Sequence, residues 1–197
     1  LKNKKGKMSK KKFKGISTVA LHTAGHDNDS FSHTTPIYAT STFTFNSAEE
    51  GMERFKGEDK SKLYTRWGNP TFVAAEQTIA ALESHGLMNE QGEPLQLKAL
   101  LHSSGQAAMT TLFFSNLSAG DTLISHYSLY GGSQELMQKV LAEAGVKIIL
   151  IDIHDEALLI ETITANPSTK LIHLETPANP TLQCVDIQAI CTIAKAH

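Results

Sequence analysis

The sequence predicts an α/β fold of three layers, in which a mostly parallel sheet has helices on both faces and follows an extended N-terminal arm. From residue 69 onward, short apolar runs alternate with stretches of helical periodicity over short links, as is typical of parallel sheets. Some of these runs are apolar at nearly every position, as expected for strands covered on both faces. The 197 residues, 41% of them hydrophobic, are enough for one well-formed core.

The N-terminal third of the chain lacks this regularity. Residues 1–14 contain eight lysines and no acidic residue, and we expect a disordered basic leader, with a nucleic-acid-binding arm as the alternative. Residues 15–65 are rich in Ser, Thr and His, with β-prone pieces such as residues 37–45. Because such a stretch has little core of its own, we expect it to be an N-terminal arm that contacts a neighbouring subunit.

The regular part of the chain begins with two helices and two strands. Pro70 opens the first helix, since proline is favoured in the first helical turn, and a long polar loop over residues 85–96 follows it. The apolar residues 99–101 predict a short strand that leads into a helix over residues 105–116. A Gly-Asp turn then enters a strand over residues 122–125.

The second half continues the alternation of helices and strands. A helix over residues 132–144 is expected to bury one face, formed by Leu136, Val140, Leu141 and Ala144. Residues 147–152 and 171–174 predict two further buried strands. Asp155 can cap the helix between them, and a last helix begins near Ile187.

Two clusters offer groups that could bind a phosphate. Ser103-Ser104-Gly105-Gln106 follows a predicted strand and opens a helix, so its amides, the helix dipole and the Ser104 hydroxyl suit an anion. An ordinary helix cap accounts for the same residues. Tyr64 and Arg66 add a hydroxyl and a fixed fork of guanidinium donors, and a surface arginine in a pre-helix turn is the alternative.

Two further clusters follow predicted strands, where parallel sheets bind ligands. Tyr130 precedes Gly131-Gly132, and an aromatic ring on such a turn can stack on a flat cofactor or can pack into the core. Glu175-Thr176-Pro177-Ala178-Asn179-Pro180-Thr181 leaves Glu175 and Asn179 as polar groups at a strand end. Asn179 could bind a phenolic oxygen or a carboxylate, or could serve only as a turn residue.

Composition argues against several other classes of protein. No apolar run is long enough to span a bilayer, and beyond the leader ten basic residues face twenty acidic ones, so no basic face for nucleic acid is expected. The nine histidines form no HExxH motif or close His/Cys pairing, so no metal site is predicted. Two cysteines, Cys184 and Cys191, are expected to be buried free thiols. We expect a soluble, cytoplasmic protein.

The clusters, taken in order, resemble the Cys/Met-metabolism enzymes that depend on pyridoxal 5'-phosphate (PLP). This family includes cystathionine γ-synthase, the cystathionine lyases, methionine γ-lyase and O-acetylhomoserine sulfhydrylase. The resemblance covers about residues 16–197. It rests on Thr35-Pro36-Ile37-Tyr38, Tyr64-x-Arg66, Asn69-Pro70-Thr71, Ser104-Gly105, Gly120-Asp121, Tyr130-Gly131-Gly132 and Glu175-x-x-x-Asn179-Pro180.

The resemblance implies a fold like the large domain of fold-type I PLP enzymes, with residues 66–197 as the first part of that domain. It also implies two groups of phosphate ligands. One group binds the cofactor of its own subunit and consists of Ser104, Gly105 and Gln106. The other group, Tyr64 and Arg66, reaches the phosphate of the adjacent subunit, which implies self-association into a homodimer or homotetramer.

The remaining implied roles concern the cofactor ring. The resemblance implies that Tyr130 stacks on the ring and helps proton transfers, as a catalytic residue. It implies that Asn179 lies near the ring oxygen and the substrate carboxylate. The family's pyridine-pairing aspartate and Schiff-base lysine are not recognised before His197, and Asp186 is expected at a helix start instead. We therefore expect either the N-terminal portion of a longer enzyme or a natural truncation that is inactive alone.

The implied chemistry is β- or γ-elimination, or γ-replacement, on small sulfur amino acids such as cystathionine, homocysteine or O-acyl-homoserine. A catalytically dead half that serves as a binding or interaction protein is the alternative. The glycine in Tyr130-Gly131-Gly132 stands where methionine γ-lyases usually have cysteine, which argues mildly against that member. Residues 85–96 resemble a loop insertion relative to the family.

Overall fold

A computed structural model describes residues 15–23, 32–57 and 62–197. The lysine-rich leader lies outside these residues. The chain divides into two compact units, with the boundary after Leu101. Among the described residues, no helix combines the length and the apolarity that crossing a bilayer would require.

The described residues of the first unit form three helices: α1 (Ile16–His22), α2 (Ala48–Lys56) and α3 (Pro70–Glu83). Helices α1 and α2 lie within residues 15–65, where the sequence predicted an extended conformation. The contact of this arm with a neighbouring subunit stays a prediction. The β-prone residues 37–45 form only one isolated antiparallel bridge, between Thr42 and Tyr64. Helix α2 is capped by Ser47, whose Oγ accepts the Glu50 amide, and Glu50 Oε2 in turn accepts the amide of Asn46, one residue before the cap. This pairing is close to a capping box.

Helix α3 begins at Pro70, as predicted, and the polar loop that follows it is confirmed. Asn89 organises this loop, because its side-chain oxygen accepts the amides of Gln91 and Glu93 at 3.0 and 2.8 Å. The predicted strand over residues 99–101 does not form. No strand of the described residues pairs with it, and the Leu101 amide donates instead to Glu76 of α3.

The second unit contains a three-stranded parallel sheet in the order β2-β1-β3. The strands are β1 (Thr122–His126), β2 (Lys147–Ile151) and β3 (Thr169–His173). Four helices accompany them: α4 (Gly105–Asn116), α5 (Gly131–Glu135), α6 (Glu156–Ala165) and α7 (Ile187–Ala196). Asp155 and Asp186 cap α6 and α7, as the sequence predicts.

The core lies on both faces of the sheet, which confirms the three-layer arrangement. β1 is buried at every position, and its successive side chains Leu123 and Ile124 point to opposite faces. Leu123 packs with residues of α4 and of the segment that follows α5, including Phe113 and Met137. Ile124 packs with residues of α6 and α7 such as Leu159. Full burial of one such side chain contributes roughly 2 kcal/mol.

The helix predicted over residues 132–144 differs from the structure. After α5, residues Leu136–Leu141 form a π-helical turn, in which each turn takes more residues than in an α-helix. This wider spacing buries Leu136, Met137 and Leu141. Val140 and Ala144, which an α-helical periodicity placed on the buried face, are exposed.

The two cysteines also differ from the expectation of buried thiols. Both are exposed free thiols, and Cys184 precedes α7 in the chain. The fold places three ligand-prone segments after strands or at helix starts of the second unit: the start of α4, the start of α5 and the loop after β3.

Candidate functional site

The start of α4 presents backbone amides to solvent. Ser104 is the N-cap, and its Oγ accepts the Ala107 amide at 3.1 Å. The amides of Gly105 and Gln106 precede the first intrahelical bond and have no acceptor within the helix. Ser104 and Gly105 are exposed, and a Cβ added at Gly105 would have no atom within 4 Å. The turn is therefore open to a ligand and lies at the positive end of the α4 dipole.

The start of α5 brings the Tyr130 ring next to this turn. Tyr130 precedes α5 and is 49% exposed. A Cβ built at Gly132 would lie 2.7 Å from Tyr130 Cε1 and 3.1 Å from Gln106 Nε2. Only a residue without a side chain fits between these two groups as they stand. The structure thus brings together four residues that the sequence analysis singled out: Ser104, Gly105, Gln106 and Tyr130.

Glu175 connects the end of β3 to the start of α5. Its Oε2 accepts the Tyr130 amide at 2.9 Å, and its Oε1 accepts the Ser133 hydroxyl at 2.8 Å. The sequence analysis identified Glu175 as a polar group at a strand end but assigned it no role. Its partners could not be found from local sequence, because Tyr130 lies 45 residues earlier.

Asn179 lies on the loop that follows β3 and is exposed. Within the part of the chain that the structure describes, its carboxamide has no hydrogen-bond partner. Hydrogen bonds and burial fix the loop itself: Ala178 is fully buried, and its amide donates to the Gln183 carbonyl at 2.9 Å. A second hydrogen bond joins the hydroxyls of Thr181 and Ser128, whose oxygens are 3.0 Å apart. Asn179 is therefore a free polar group on a fixed loop.

Tyr64 and Arg66 lie together in the first unit. The Arg66 guanidinium carbon is 5.2 Å from the centre of the Tyr64 ring and 5.5 Å from that of Trp67. Arg66 is exposed and forms no ion pair with any residue that the structure describes. Its donors remain available to an anion.

Asn69 fixes the turn that carries Tyr64 and Arg66, a role that the sequence analysis missed. Asn69 is 2% exposed. Its Nδ2 donates to the Tyr38 carbonyl at 2.9 Å and to Thr65 Oγ1 at 3.2 Å, and its Oδ1 caps α3. Thr71 adds a further hydrogen bond to the segment around Tyr38, because its Oγ1 accepts the Tyr38 amide. An asparagine before an N1 proline is the sequence signal for such a cap.

Three side chains to which no role was assigned also come together. His126, Asp152 and His154 present potential metal-ligating atoms within 4.8 Å of one another. Both nitrogens of His126 are engaged, because Nδ1 accepts the Ile153 amide at 3.2 Å and Nε2 lies 3.4 Å from Gln183 Oε1. His154 bridges Asp152 Oδ1 and the Cys184 carbonyl. The cluster is thus already hydrogen-bonded within the protein.

The groups at the starts of α4 and α5 fit a phosphate ester joined to a flat ring. The donors are amides and a hydroxyl, and no acidic side chain lies in the first turn of α4. The half-exposed Tyr130 ring offers a face for stacking. This combination of an anion-binding turn and an adjacent aromatic ring suits PLP, the cofactor that the sequence resemblance implies.

Comparisons with known proteins agree with this assignment. The family model described as Cys/Met metabolism PLP-dependent enzyme matches residues 17–197. L-methionine γ-lyase of Porphyromonas gingivalis is 38% identical over 184 residues, which make up 93% of this chain and 43% of that protein. O-acetyl-L-homoserine sulfhydrylase of Corynebacterium glutamicum is 32% identical over 181 residues, covering 91% of this chain and 39% of that protein.

A solved structure shares the fold as well. The crystal structure of cystathionine γ-lyase from Lactobacillus plantarum complexed with L-serine has a TM-score of 0.75 and 33% sequence identity. The match covers 93% of this chain and 42% of that chain, so the chain spans less than half the length of these three relatives. The parallel sheet with helices on both faces is that of fold-type I PLP enzymes. The chain belongs to the Cys/Met metabolism family of PLP-dependent enzymes.

Proposed function

We propose that the protein to which this chain belongs is a cytoplasmic PLP-dependent enzyme that acts on small sulfur amino acids. The reaction is a β- or γ-elimination or a γ-replacement on a substrate of the cystathionine, homocysteine or O-acyl-homoserine type. The observation that carries the proposal is the approach of the Ser104–Gln106 turn to the Tyr130 ring across Gly132. It occurs in a chain whose relatives include a lyase and a sulfhydrylase of this chemistry.

In this proposal the start of α4 binds the cofactor phosphate. The amides of Gly105 and Gln106 and the Ser104 hydroxyl donate to its oxygens, and the α4 dipole adds a favourable field. Arg66, assisted by Tyr64, supplies a positive charge to the phosphate of the adjacent subunit. The phosphate group then fixes where the rest of the cofactor lies.

Two further residues act on the ring and the substrate. The Tyr130 ring stacks on the cofactor ring, and its phenolic oxygen exchanges a proton with the substrate during the reaction. The free carboxamide of Asn179 donates to the cofactor's phenolic oxygen or to the substrate carboxylate. PLP, when bound, supplies the electron sink that stabilises negative charge at the substrate α-carbon.

Turnover by the full-length protein tests this proposal. With PLP present, we expect keto-acid release from L-cystathionine or L-methionine, or sulfide-dependent replacement on O-acetyl-L-homoserine. A Tyr130→Phe variant should bind PLP but lose most of the turnover, because it retains the ring and lacks the hydroxyl. Absence of turnover on every substrate, with PLP bound normally, would favour a catalytically dead binding protein.

Hybrid dimers test the proposed sharing of the site between subunits. Arg66→Ala and Tyr130→Phe chains, carrying different tags, are co-expressed, and the mixed dimers are purified. If Arg66 acts on the adjacent subunit's cofactor, one of the two sites in each hybrid is native, and about half of the wild-type activity returns. Hybrids as inactive as both parents would contradict a shared site, whereas monomers would contradict the self-association itself.

A further inference from the structure

One carboxylate joins three segments that form the candidate site. Glu175 follows β3 and precedes the Asn179 loop. It accepts hydrogen bonds from Tyr130 and Ser133 at the start of α5. Ser133 in turn contacts α4, since its Oγ lies 3.6 Å from Met109 Sδ.

The geometry of this connection is specific. Both Glu175 oxygens are used, and each accepts from a different kind of donor: a backbone amide at 2.9 Å and a hydroxyl at 2.8 Å. Ser133 is 1% exposed, so its hydroxyl has no access to water as a replacement partner. Loss of the carboxylate would therefore leave a buried hydroxyl with only a weak sulfur acceptor.

The charge of Glu175 also suits its surroundings. An ionised carboxylate only accepts hydrogen bonds, and both of its partners here are donors. Its one backbone partner is the amide of Tyr130, the residue that precedes α5. His173, the last residue of β3, is largely buried, and this burial lowers the pKa of His173, whereas the charge of Glu175 raises it. The two hydrogen bonds to Glu175 come from neutral donors, the Tyr130 amide and the Ser133 hydroxyl.

We propose that Glu175 is a positioning residue, whose carboxylate fixes the Tyr130 backbone and thereby sets the place of the Tyr130 ring beside the Ser104–Gln106 turn. This inference rests on the proposed PLP-binding function. It adds to that function a distinct role, because both oxygens of Glu175 are engaged by Tyr130 and Ser133 and the carboxylate acts through these two residues. The same carboxylate links the ring to the loop that carries Asn179.

Two substitutions distinguish the hydrogen bonds that Glu175 makes from its negative charge. In Glu175→Ala both hydrogen bonds are lost. In Glu175→Gln the side-chain oxygen can still accept the Tyr130 amide, while the side-chain nitrogen can donate to Ser133 Oγ, which is able to accept as well as donate. The matched control is Glu161→Ala, which removes an exposed carboxylate of α6.

The first measurement is hydrogen exchange of the full-length protein without added PLP, read by mass spectrometry on a peptide that contains Tyr130. We expect exchange at the Tyr130 amide to be at least about tenfold faster in Glu175→Ala, since the amide loses its acceptor. Glu175→Gln and Glu161→Ala should exchange like the wild type. Unchanged exchange in Glu175→Ala would overturn the proposal.

The second measurement is the dissociation constant of PLP, determined by absorbance titration of the folded proteins. Glu175→Ala should bind PLP about tenfold more weakly, and Glu175→Gln within about threefold of the wild type. A residue that only stabilised the fold would lower the unfolding midpoint and leave this constant unchanged, which would also overturn the proposal. If the wild type itself failed to bind PLP, the proposed function would be wrong. The exchange data would still show whether Glu175 fixes the Tyr130 amide.

Discussion

Gly132 shows how one missing side chain can shape a binding site. The neighbouring Gly131 has open space around a Cβ, whereas a Cβ at Gly132 would meet the Tyr130 ring and the Gln106 side chain. The two glycines are adjacent in the sequence, so composition alone does not distinguish them. The distinction arises from the position of the Tyr130 ring and from the approach of the Gln106 side chain of α4.

The pair of glycines provides a matched test. In full-length protein, Gly132→Ala should displace the Tyr130 ring or the Gln106 amide, because the new Cβ would lie 2.7 and 3.1 Å from them. We expect PLP to bind roughly tenfold more weakly, as when a well-placed contact is lost. Gly131→Ala should bind PLP like the wild type. Equal affinities for all three proteins, by absorbance titration, would show that the ring position does not matter.

His154 and Asp152 form an exposed, charge-assisted pair. Their Nδ1 and Oδ1 atoms are 2.9 Å apart. Hydrogen bonding to Asp152 raises the pKa of His154 above its ordinary value of 6.5. Hydrogen bonding to His154 lowers the pKa of Asp152 below its ordinary value of 3.8. The contribution of the pair to stability is present between these two ordinary values.

Its pH dependence follows from these directions. The contribution is lost as pH rises through the raised pKa of His154, and also as pH falls through the lowered pKa of Asp152. As pH rises from about 6 to about 8, the free energy of unfolding should therefore fall less in a His154→Gln variant than in the wild type. The difference should be small, because solvent screens both side chains. Urea unfolding across this range measures it. A Lys139→Gln control should keep the wild-type slope, and an equal slope in His154→Gln would contradict the assignment.

At the scale of elements, two N-cap residues allow the effect of a cap on folding stability to be distinguished from its effect on PLP binding. Ser104 caps α4 at the candidate site, and Asp155 caps α6 away from it. Ser104→Ala and Asp155→Ala should each lower the free energy of unfolding by about 1 kcal/mol. Only Ser104→Ala should also weaken PLP binding, by roughly fivefold, the equivalent of one neutral hydrogen bond. Urea unfolding and PLP titration of full-length variants measure the two effects, and equal PLP affinities would limit Ser104 to capping.

The elements differ in how far sequence patterns predict them. β1 and α4 were predicted closely, because the Gly-Asp turn before the strand and the Ser-Gly start of the helix are strong local signals. The π-helical turn at Leu136–Leu141 was not predicted, since its spacing is imposed by packing against the sheet rather than by composition. The failed strand over residues 99–101 has the right composition but no pairing strand among the described residues. Pairing is a tertiary property.

Helix α2 is a different case, because a local signal existed and was missed. Ser47 and Glu50 have the spacing of a capping box. The surrounding Ser- and Thr-rich sequence favoured an extended arm instead. The helix is further supported by the ion pair between Glu50 and Arg54, with 2.6 Å between charged atoms.

At the scale of the whole molecule, the candidate site was predicted residue by residue but not as a geometry. Motif order along the chain suggested Ser104, Tyr130 and Asn179 through family resemblance, and the structure shows which groups have free donors. The role of Glu175 emerged only from contacts between segments that are distant in sequence, and that of Gly132 from its contacts with the Tyr130 ring and with Gln106 of α4. The family match extends over residues 17–197 and therefore includes both units.

The central claim is that the protein binds PLP at the starts of α4 and α5. The most direct test is the intact mass of full-length protein after incubation with PLP, borohydride reduction and removal of free cofactor. We expect one pyridoxyl phosphate group per chain in the wild type, and much less in a Ser104→Ala/Gly132→Val double variant at limiting PLP. Equal, substoichiometric labelling of both proteins, spread over several surface lysines, would contradict the claim.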